Sequence, residues 1–287
     1  MRLSKNTIQW IRSSAFAIAV LFGLHVGVVS AQAEKSPSST KVENEPSENN
    51  VQSDANAPKI AQNALKWSLG AGFIASPRPY VGTNARVFPI PSLSLEYKRW
   101  FFQGIRGGYS FVKSDRFTAN LFAQARFRGL EPEDSPFLTG MEERKKSMDA
   151  GLEFIYSGRP VGFRASFLTD TLGRSKGQEV SLLAVSGVPL GRRGIILVGI
   201  GPRWLSQNRV DYYYGVRESE ATPERPAYTA QATWNLDINV TAIINVSSKW
   251  SFVAILNREG LGSSIRNSPI VERSSAYGLV TSLSYSF

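Results

Sequence analysis

Apolar and polar positions alternate along much of the chain, most clearly over its last twelve residues. There Tyr277, Leu279, Leu283, Tyr285 and Phe287 share one parity, and Ala, Gly, Val and Ser occupy the other. Successive side chains of a β-strand point to opposite faces, so one face is aromatic and apolar and the other is small and mostly polar. A single strand of this kind fits either a soluble sandwich or a membrane barrel.

The same alternation recurs upstream and predicts a ladder of strands. In the longest run, every even position from Ala230 to Val246 is apolar and the odd positions are polar except Ile243, which no helical period produces. The runs predict strands at 65–73, 92–101, 103–112, 117–128, 148–157, 161–170, 179–188, 194–205, 209–216, 229–246, 250–257 and 276–287. Longer loops are predicted at 76–91, 129–147, 217–227 and 258–276.

The strand count depends on one division. Gly194–Val216 is split into two strands at Ser206-Gln207-Asn208, which gives twelve strands. Without the split the count is eleven, and single-chain bacterial barrels have even strand numbers. Twelve is therefore the prediction, and ten is the alternative.

The N-terminus carries an export signal. Arg2, Lys5 and Arg12 precede an apolar run that is followed by Ala31-Gln32-Ala33. Basic residues, an apolar stretch and a small-x-small site are typical of a secretory signal peptide, predicted here as residues 1–33. A retained membrane anchor is the other interpretation, but the run is short for a span of ~20 residues.

A polar leader is predicted at residues 34–63. It is rich in Ser, Pro, Glu and Asn and has no aromatic residue. Such a segment buries too little apolar surface to offset the entropy of ordering, so it is predicted to be a disordered periplasmic leader. It is either a spacer or a tether for a periplasmic partner.

The fold predicted for residues 64–287 is an all-β, transmembrane, antiparallel up-and-down β-barrel of the outer membrane. An exported chain with recurrent two-faced strands and no apolar helical span crosses a bilayer only as a closed barrel. This region carries 27 Lys and Arg against 18 Asp and Glu, a net charge of +9. Positive charge suits anionic neighbours such as lipopolysaccharide phosphates. Nucleic acid is not expected as a partner, because the chain is exported and lacks a Lys/Arg-rich run.

Catalysis and metal chemistry are not expected. The chain has no cysteine, and its one histidine, His25, lies in the predicted signal peptide. Ser-His-Asp catalysis and His- or Cys-ligated zinc are therefore excluded for the mature chain. Pairs such as Asp149 and Glu153 leave a carboxylate hydrolase open, but inward carboxylates beside arginines are more often ion-paired. We predict no enzyme activity, no cofactor and no metal.

The inward parity of the predicted strands carries several charged residues, which are candidates for lining the barrel lumen. They are Arg106, Arg126, Arg128, Asp149, Glu153, Arg164, Asp170 and Asp237. One interpretation is a charged pore that selects anions or sugars. The other is a lumen filled by paired side chains, as in small barrels. The second is favoured for twelve strands.

The aromatic C-terminus predicts a further partner. Tyr285 and Phe287 end the last strand and are interpreted as the C-terminal assembly signal for the barrel-assembly machinery.

Several segments resemble the MipA/OmpV family of outer-membrane barrels. They are Pro77-Arg78-Pro79-Tyr80-Val81-Gly82, Phe88-Pro89-Ile90-Pro91, Tyr213-Tyr214-Gly215-Val216 with Glu218-Ser219, Pro226-Ala227-Tyr228, Asn267-Ser268-Pro269-Ile270-Val271 and the terminal Tyr-Ser-Phe. Their order and spacing extend over residues 65–287, whereas the leader at 34–63 is atypical.

The resemblance implies a non-enzymatic role without defined catalytic residues. The founding member is regarded as a scaffold that brings a murein hydrolase together with a murein synthase; other members are linked to adhesion, or to sensing or uptake of small molecules. A channel or a solute-binding or adhesion barrel is therefore the alternative to a scaffold. The marks Tyr213, Tyr214, Gly215, Val216, Ser268, Pro269, Ile270 and Val271 are expected to fix loop geometry. Pro269 would preset φ and Gly215 would permit positive φ.

Overall fold

Twelve antiparallel strands close on one another, each paired with its neighbours in sequence and β1 paired with β12. The computed structural model describes residues 65–76 and 78–287, so the predicted signal peptide and leader lie outside the described residues. The strands are β1 (Lys66–Ser76), β2 (Arg86–Tyr97), β3 (Trp100–Gln103), β4 (Arg106–Lys113), β5 (Phe117–Arg126), β6 (Ser147–Tyr156), β7 (Val161–Asp170), β8 (Gln178–Leu190), β9 (Gly194–Leu205), β10 (Thr233–Asn245), β11 (Trp250–Gly260) and β12 (Ser275–Ser286). The predicted all-β, up-and-down barrel of twelve strands is confirmed.

The count of twelve is correct, but one predicted strand is wrong. Residues 209–216 belong mostly to a helix, α1 (Gln207–Tyr214). Its buried Val210, Tyr213 and Tyr214 have the i, i+3, i+4 spacing of one helical face. The count is restored because the predicted strand 92–101 contains the end of β2 and the first two residues of β3, which are separate strands.

The predicted loop 76–91 is also too long. β2 already begins at Arg86 and includes Pro89 and Pro91. Proline is normally confined to sheet edges because it has no N–H for a ladder hydrogen bond. Both prolines lie in an edge region of β2.

The outer face is apolar, with aromatic residues at the end where β1 begins and β12 ends. Trp67 on β1 stacks on Phe287 with ring centroids 3.7 Å apart, and Trp250 contacts Tyr285 at 5.3 Å. Trp100 and Tyr109 add a third pair at 5.0 Å. These rings form an interfacial girdle like those of outer-membrane barrels.

The two ends of the barrel differ in the length of their connections. Five short turns lie at the end where β1 begins and β12 ends. They are residues 98–99, 114–116, 157–160, 191–193 and 246–249. The opposite end carries the longer loops 77–85, 127–146, 171–177, 206–232 and 261–274. Outer-membrane barrels have short periplasmic turns and longer extracellular loops, so the longer loops face outwards. Among the described residues, no helix has the length and apolarity needed to span a bilayer.

An apolar cluster lies inside the barrel. Leu183, Leu197, Ile243, Val253, Ile255 and Val280 are buried in contact with one another. Ile74, Ile90, Ile105, Val185 and Ile195 pack against them. These side chains share the inward parity of their strands, so part of the lumen is filled by an apolar core.

Candidate functional site

Four extracellular loops fold together into one structure over the mouth of the barrel, which we call the cap. It consists of residues 78–85, 127–146, 206–232 and 261–274. Its apolar core is formed by Tyr80, Leu130, Leu138, Met141, Val210, Tyr213, Tyr214, Val216, Ala230, Leu261, Ile265 and Ile270, with Leu205 from β9. Because every loop contributes buried side chains, the cap is a small packed core rather than a set of separate loops.

The positions that marked the family resemblance meet inside the cap. The hydroxyl of Tyr80 donates to the carbonyl of Tyr213 at 3.1 Å, and Ser268 Oγ donates to the carbonyl of Tyr214 at 2.6 Å. Ile270 is fully buried in the core of the cap, and the neighbouring Val271 forms a β-bridge with Tyr80. The two segments predicted to fix loop geometry therefore lie against each other.

Gly215 has a different role from the one predicted. Its φ is −73°, so positive φ is not the reason for glycine at this position. A Cβ there would lie 2.5 Å from both the carbonyl oxygen and Oδ1 of Asp211. Those two oxygens are used, since Gly215 N donates to the first and Ala230 N to the second, at 2.8 Å each. Close approach, not backbone conformation, requires the glycine.

A buried ion pair joins two loops of the cap. Arg144 donates to both carboxylate oxygens of Glu220, at 2.8 and 2.7 Å. The same carboxylate accepts from the backbone N–H groups of Glu142 and Arg217. Burial acts to raise the pKa of Glu220, but these hydrogen bonds and the charge of Arg144 outweigh it and lower that pKa to about 2. Glu220 is therefore ionised at neutral pH.

A layer of buried charge lies beneath the cap, and α1 contributes to it directly. Arg209 on α1 is 2% exposed and reaches Asp149 at 2.9 Å and Glu179 at 3.4 Å. Arg126 on β5 bonds the same two carboxylates, at 2.7 and 2.9 Å. The helix thus connects the cap to the barrel wall through a shared pair of carboxylates.

The layer continues across the barrel towards β10 and β11. Arg128 forms an ion pair with Glu259, and Arg203 forms one with Asp237. Arg203 also lies 3.6 Å from Glu179 and 3.7 Å from Glu259, which joins the two parts of the layer. Four arginines face four carboxylates, so the layer is balanced in charge, as buried ions require.

A second charged cluster lies on the inner face of β4, β6 and β7. Arg106 bonds Glu153 at 2.6 and 3.1 Å, and Arg164 pairs with the same carboxylate. Asn120 Nδ2 donates to it at 2.9 Å. The guanidinium of Arg106 also lies 3.7 Å from the ring centroid of Phe122, within the range of a cation–π contact.

Seven of the eight predicted lumen residues lie in these ion pairs; the eighth, Asp170, accepts hydrogen bonds from Ser147 Oγ at 2.5 Å and from Ser175 N at 2.6 Å. It therefore holds the loop at 171–177.

Sequence reasoning missed Glu179, Arg203, Arg209 and Glu259. Parity within the predicted strands identifies the first two. Arg209 was assigned to a strand and Glu259 to a loop. That these residues line a pore stays a prediction.

The periplasmic end carries an unbalanced charge, which we call the basic rim. Its five turns contain Lys98, Arg99, Arg116, Arg159, Arg192, Arg193 and Lys249. All seven are exposed, and Asp115 is the one acidic residue in these turns. Among the described residues none of the seven has an ion-pair partner, whereas the charges inside the barrel are paired.

The comparison with known families follows this geometry. The family model described as "MltA-interacting protein MipA" matches residues 69–287. The chain belongs to the MipA family. The resemblance in the sequence is thereby confirmed, and the matched region begins within β1 and includes every loop of the cap.

Curated relatives of this MipA-family chain are outer-membrane or interaction proteins by name. "MltA-interacting protein" of Escherichia coli K12 is 26% identical over 81% of this chain and 95% of that protein. "Putative outer membrane protein YiaT" of the same organism is 26% identical over 78% and 92%. The chain is an outer-membrane protein.

Solved structures similar to the chain are also outer-membrane proteins. An outer membrane channel from Pseudomonas putida F1 has a TM-score of 0.39 and 12% identity, covering 79% of this chain and 98% of that one.

Proposed function

We propose that this MipA-family barrel is a non-enzymatic scaffold that docks murein-processing enzymes at its periplasmic end. Its central support is the basic rim, a ring of seven exposed cationic side chains at the periplasmic end, none with an ion-pair partner in the described part of the chain. Such a ring attracts anionic surfaces over roughly a Debye length of 8–10 Å. The name of the relative "MltA-interacting protein" supports the same direction.

The state of the barrel interior also favours docking over conduction. An apolar cluster and two groups of ion pairs fill described parts of the lumen, and the cap covers its extracellular mouth. A channel needs a continuous polar path, which these contacts interrupt. The scaffold therefore fits the geometry better than the pore interpretation of the inward arginines.

Affinity capture tests the docking proposal. The mature protein, solubilised in detergent and immobilised, is exposed to periplasmic extract, and recovered proteins are identified by mass spectrometry. We expect murein hydrolases and synthases from the wild type and at least ten-fold less from Arg192→Glu/Arg193→Glu. A matched control, Lys145→Glu/Arg174→Glu, makes the same charge change at exposed extracellular positions and should capture normally. Equal capture by all three proteins, or capture of no murein enzyme, would contradict the proposal.

Planar-bilayer recording tests the alternative. The heat-modifiable, folded barrel is expected to be electrically silent. Steady, discrete openings whose ion selectivity changes in Arg126→Glu would favour a channel instead.

Two further partners stay predictions from the sequence. Lipopolysaccharide is expected at the extracellular rim, and the barrel-assembly machinery is expected to recognise Tyr285 and Phe287. Deleting Phe287 should lower the amount of folded barrel in the outer membrane, whereas Ser286→Ala should leave it unchanged.

A further inference from the structure

The barrel wall is incomplete between β2 and β5. The hairpin of β3 and β4 turns back at Gly104-Ile105, and the last hydrogen bond on this edge of β2 runs from Gly104 N to Leu93 O at 2.8 Å. β2 continues for seven more residues, from Ser92 to Arg86. Among the described residues these pair with β1 alone. At about 3.3 Å per residue, this leaves roughly 23 Å of strand edge without a neighbour.

The sequence of β2 is adapted to this open edge. Pro89 and Pro91 lie opposite Phe73 and Ala71 of β1. As prolines, neither has a backbone N–H that could donate a hydrogen bond. In a strand, the backbone groups of every second residue point to the same edge. Leu93 accepts from Gly104 on the open edge of β2, so the nitrogens of Pro91 and Pro89 face that edge as well. Unpaired amide donors are costly in lipid, and the two prolines remove two of them.

The opposite side of the gap is the upper end of β5. The pairing of β4 with β5 ends at Arg106 and Gln124, followed by one hydrogen bond from Ala125 N to Ile105 O at 2.9 Å. Below the turn, β3 and β4 separate β2 from β5 by three strand spacings, roughly 14 Å between backbones. An opening on this scale favours one hydrocarbon chain over a two-chain lipid.

The cap closes the top of the gap. Arg86, the first residue of β2, contacts Glu131 at 2.8 Å and also pairs with Asp134. Arg78 pairs with Asp134 as well. These ion pairs connect the β1–β2 segment to the loop that follows β5. The gap is therefore a window framed by two strands, a hairpin turn and an ion-paired strap.

The β2 side of the window is apolar from the membrane to the interior. Phe88 shares the inward parity of Ile74, its partner on β1, yet it is 48% exposed. Ile90 and Ile105 lie next to it on the inner side and pack against the apolar cluster of the lumen. On the outer side Val87 is 63% exposed. No charged side chain interrupts this path between Val87 and Ile90. On the opposite side Arg126, at the upper end of β5, points inward to Asp149 and Glu179.

We infer that this window is a lateral binding site through which a single-chain amphiphile inserts its hydrocarbon chain from the outer leaflet. Tyr97 and Trp100 mark the periplasmic girdle, and the turn at Gly104-Ile105 lies about four residues above Trp100, so the window opens into the outer half of the bilayer. The lining side chains supply apolar contact, and the two prolines remove two backbone donors from the edge, which suits an alkyl chain. This site is independent of docking at the basic rim.

Photolabelling tests the window. The folded protein in phosphatidylcholine vesicles is irradiated with a diazirine-bearing palmitate, and modified residues are located by mass spectrometry. We expect saturable adducts at inward-facing Phe88, Ile90 or Ile105, reduced at least ten-fold by excess unlabelled palmitate. Outward Phe163 should be labelled without saturation.

One variant and one additional probe distinguish insertion through the window from labelling of the outer face. Phe88→Arg should lose the inward adducts at least ten-fold while adducts at Phe163 persist, and unheated gel migration verifies that the variant is folded. A diazirine-bearing phosphatidylcholine should label outward positions only. Adducts confined to the outer face with both probes, or inward adducts from the two-chain lipid alone, would overturn the inference.

Discussion

Two tyrosines of the cap differ in what their hydroxyl groups do. The hydroxyl of Tyr80 donates to the carbonyl of Tyr213, whereas the buried hydroxyl of Tyr213 has no hydrogen-bond partner among the residues that the structure describes. Burial raises the pKa of Tyr213 to about 12, so the group stays neutral in the physiological range. An unpartnered buried hydroxyl destabilises the fold, and a paired one stabilises it.

We therefore expect opposite results from the same substitution at these two positions. Tyr80→Phe should lower the free energy of unfolding by about 1 kcal/mol, the usual contribution of a hydrogen bond. Tyr213→Phe should leave it unchanged or raise it, because the lost hydroxyl made no bond. Urea unfolding in detergent, followed by tryptophan fluorescence, measures both. Equal losses in the two variants would contradict the assigned contacts.

The carboxylate of Glu220 makes the cap sensitive to acid. Its pKa is about 2 when folded, against 4.5 as the ordinary value, so ionised Glu220 stabilises the cap fully above pH 4.5. That contribution should be lost as the pH falls from 4.5 towards 2. Unfolding free energies measured over this range should therefore fall more steeply in the wild type than in Glu220→Gln.

The control for this pH dependence lies two residues away. Glu218→Gln changes an exposed carboxylate and should keep the slope of the wild type. At neutral pH, Glu220→Gln should also destabilise the protein by about 3–5 kcal/mol, because Arg144 would remain buried without a countercharge. An identical pH slope in wild type and Glu220→Gln would sink this account of the cap.

At the scale of elements, the prolines of β2 give a direct test of the open edge. Pro89→Val/Pro91→Val restores two N–H donors that face lipid without a partner, each costing several kcal/mol. We expect a lower free energy of unfolding. We also expect more oligomers, since exposed strand edges pair with one another. Unheated gels and urea unfolding measure the two effects.

The matched control uses a proline in a flanked strand. Pro202 lies in β9, which has β8 and β10 on its two sides. Pro202→Val opens no new edge and should not increase oligomers. If the double variant on β2 behaved like this control, the window would be absent in the membrane.

A strand could be predicted from the sequence where its apolar and polar residues alternate clearly, and was missed where they do not. β6, β7, β10 and β12 alternate cleanly, because one face meets lipid and the other the packed interior, and they were located to within a few residues. α1 was missed because Tyr212, Tyr213 and Tyr214 give no two-faced pattern on inspection, and its helical spacing rests on only three residues. β3 has four residues, too few for a period to be recognised.

The candidate sites were predictable to different degrees. Parity identified Arg106, Arg126 and Glu153, because it requires only that a strand be located. The partners of these residues were not predictable, since Arg209 reaches Asp149 from a helix 60 residues away in sequence. Pairing across loops depends on packing that a local pattern does not contain.

At the scale of the whole molecule, the cap should respond as one unit. Ile270 is fully buried where the loops meet, so Ile270→Asp places a charge in the core of the cap. We expect trypsin then to cleave after Arg144 and Arg209, which are buried in the wild type and lie in two other loops. The barrel strands should stay intact.

Exposed Asn267 in the same loop provides the comparison. Asn267→Asp adds the same charge outside the core and should leave Arg144 and Arg209 protected. Cleavage confined to the loop of Ile270 would mean that the loops open separately. Mass spectrometry of the fragments distinguishes these outcomes.

The four cap loops come from positions between residues 78 and 274, so their shared core has an implication for biogenesis. Ile265 and Ile270 reach that core only after β11 is in place, and Tyr80 meets them only when β12 has joined β1. An unclosed barrel therefore displays a bare apolar surface and accessible arginines to surface proteases. Completion of the cap would mark the finished molecule, and chains that stall before closure would be left open to removal.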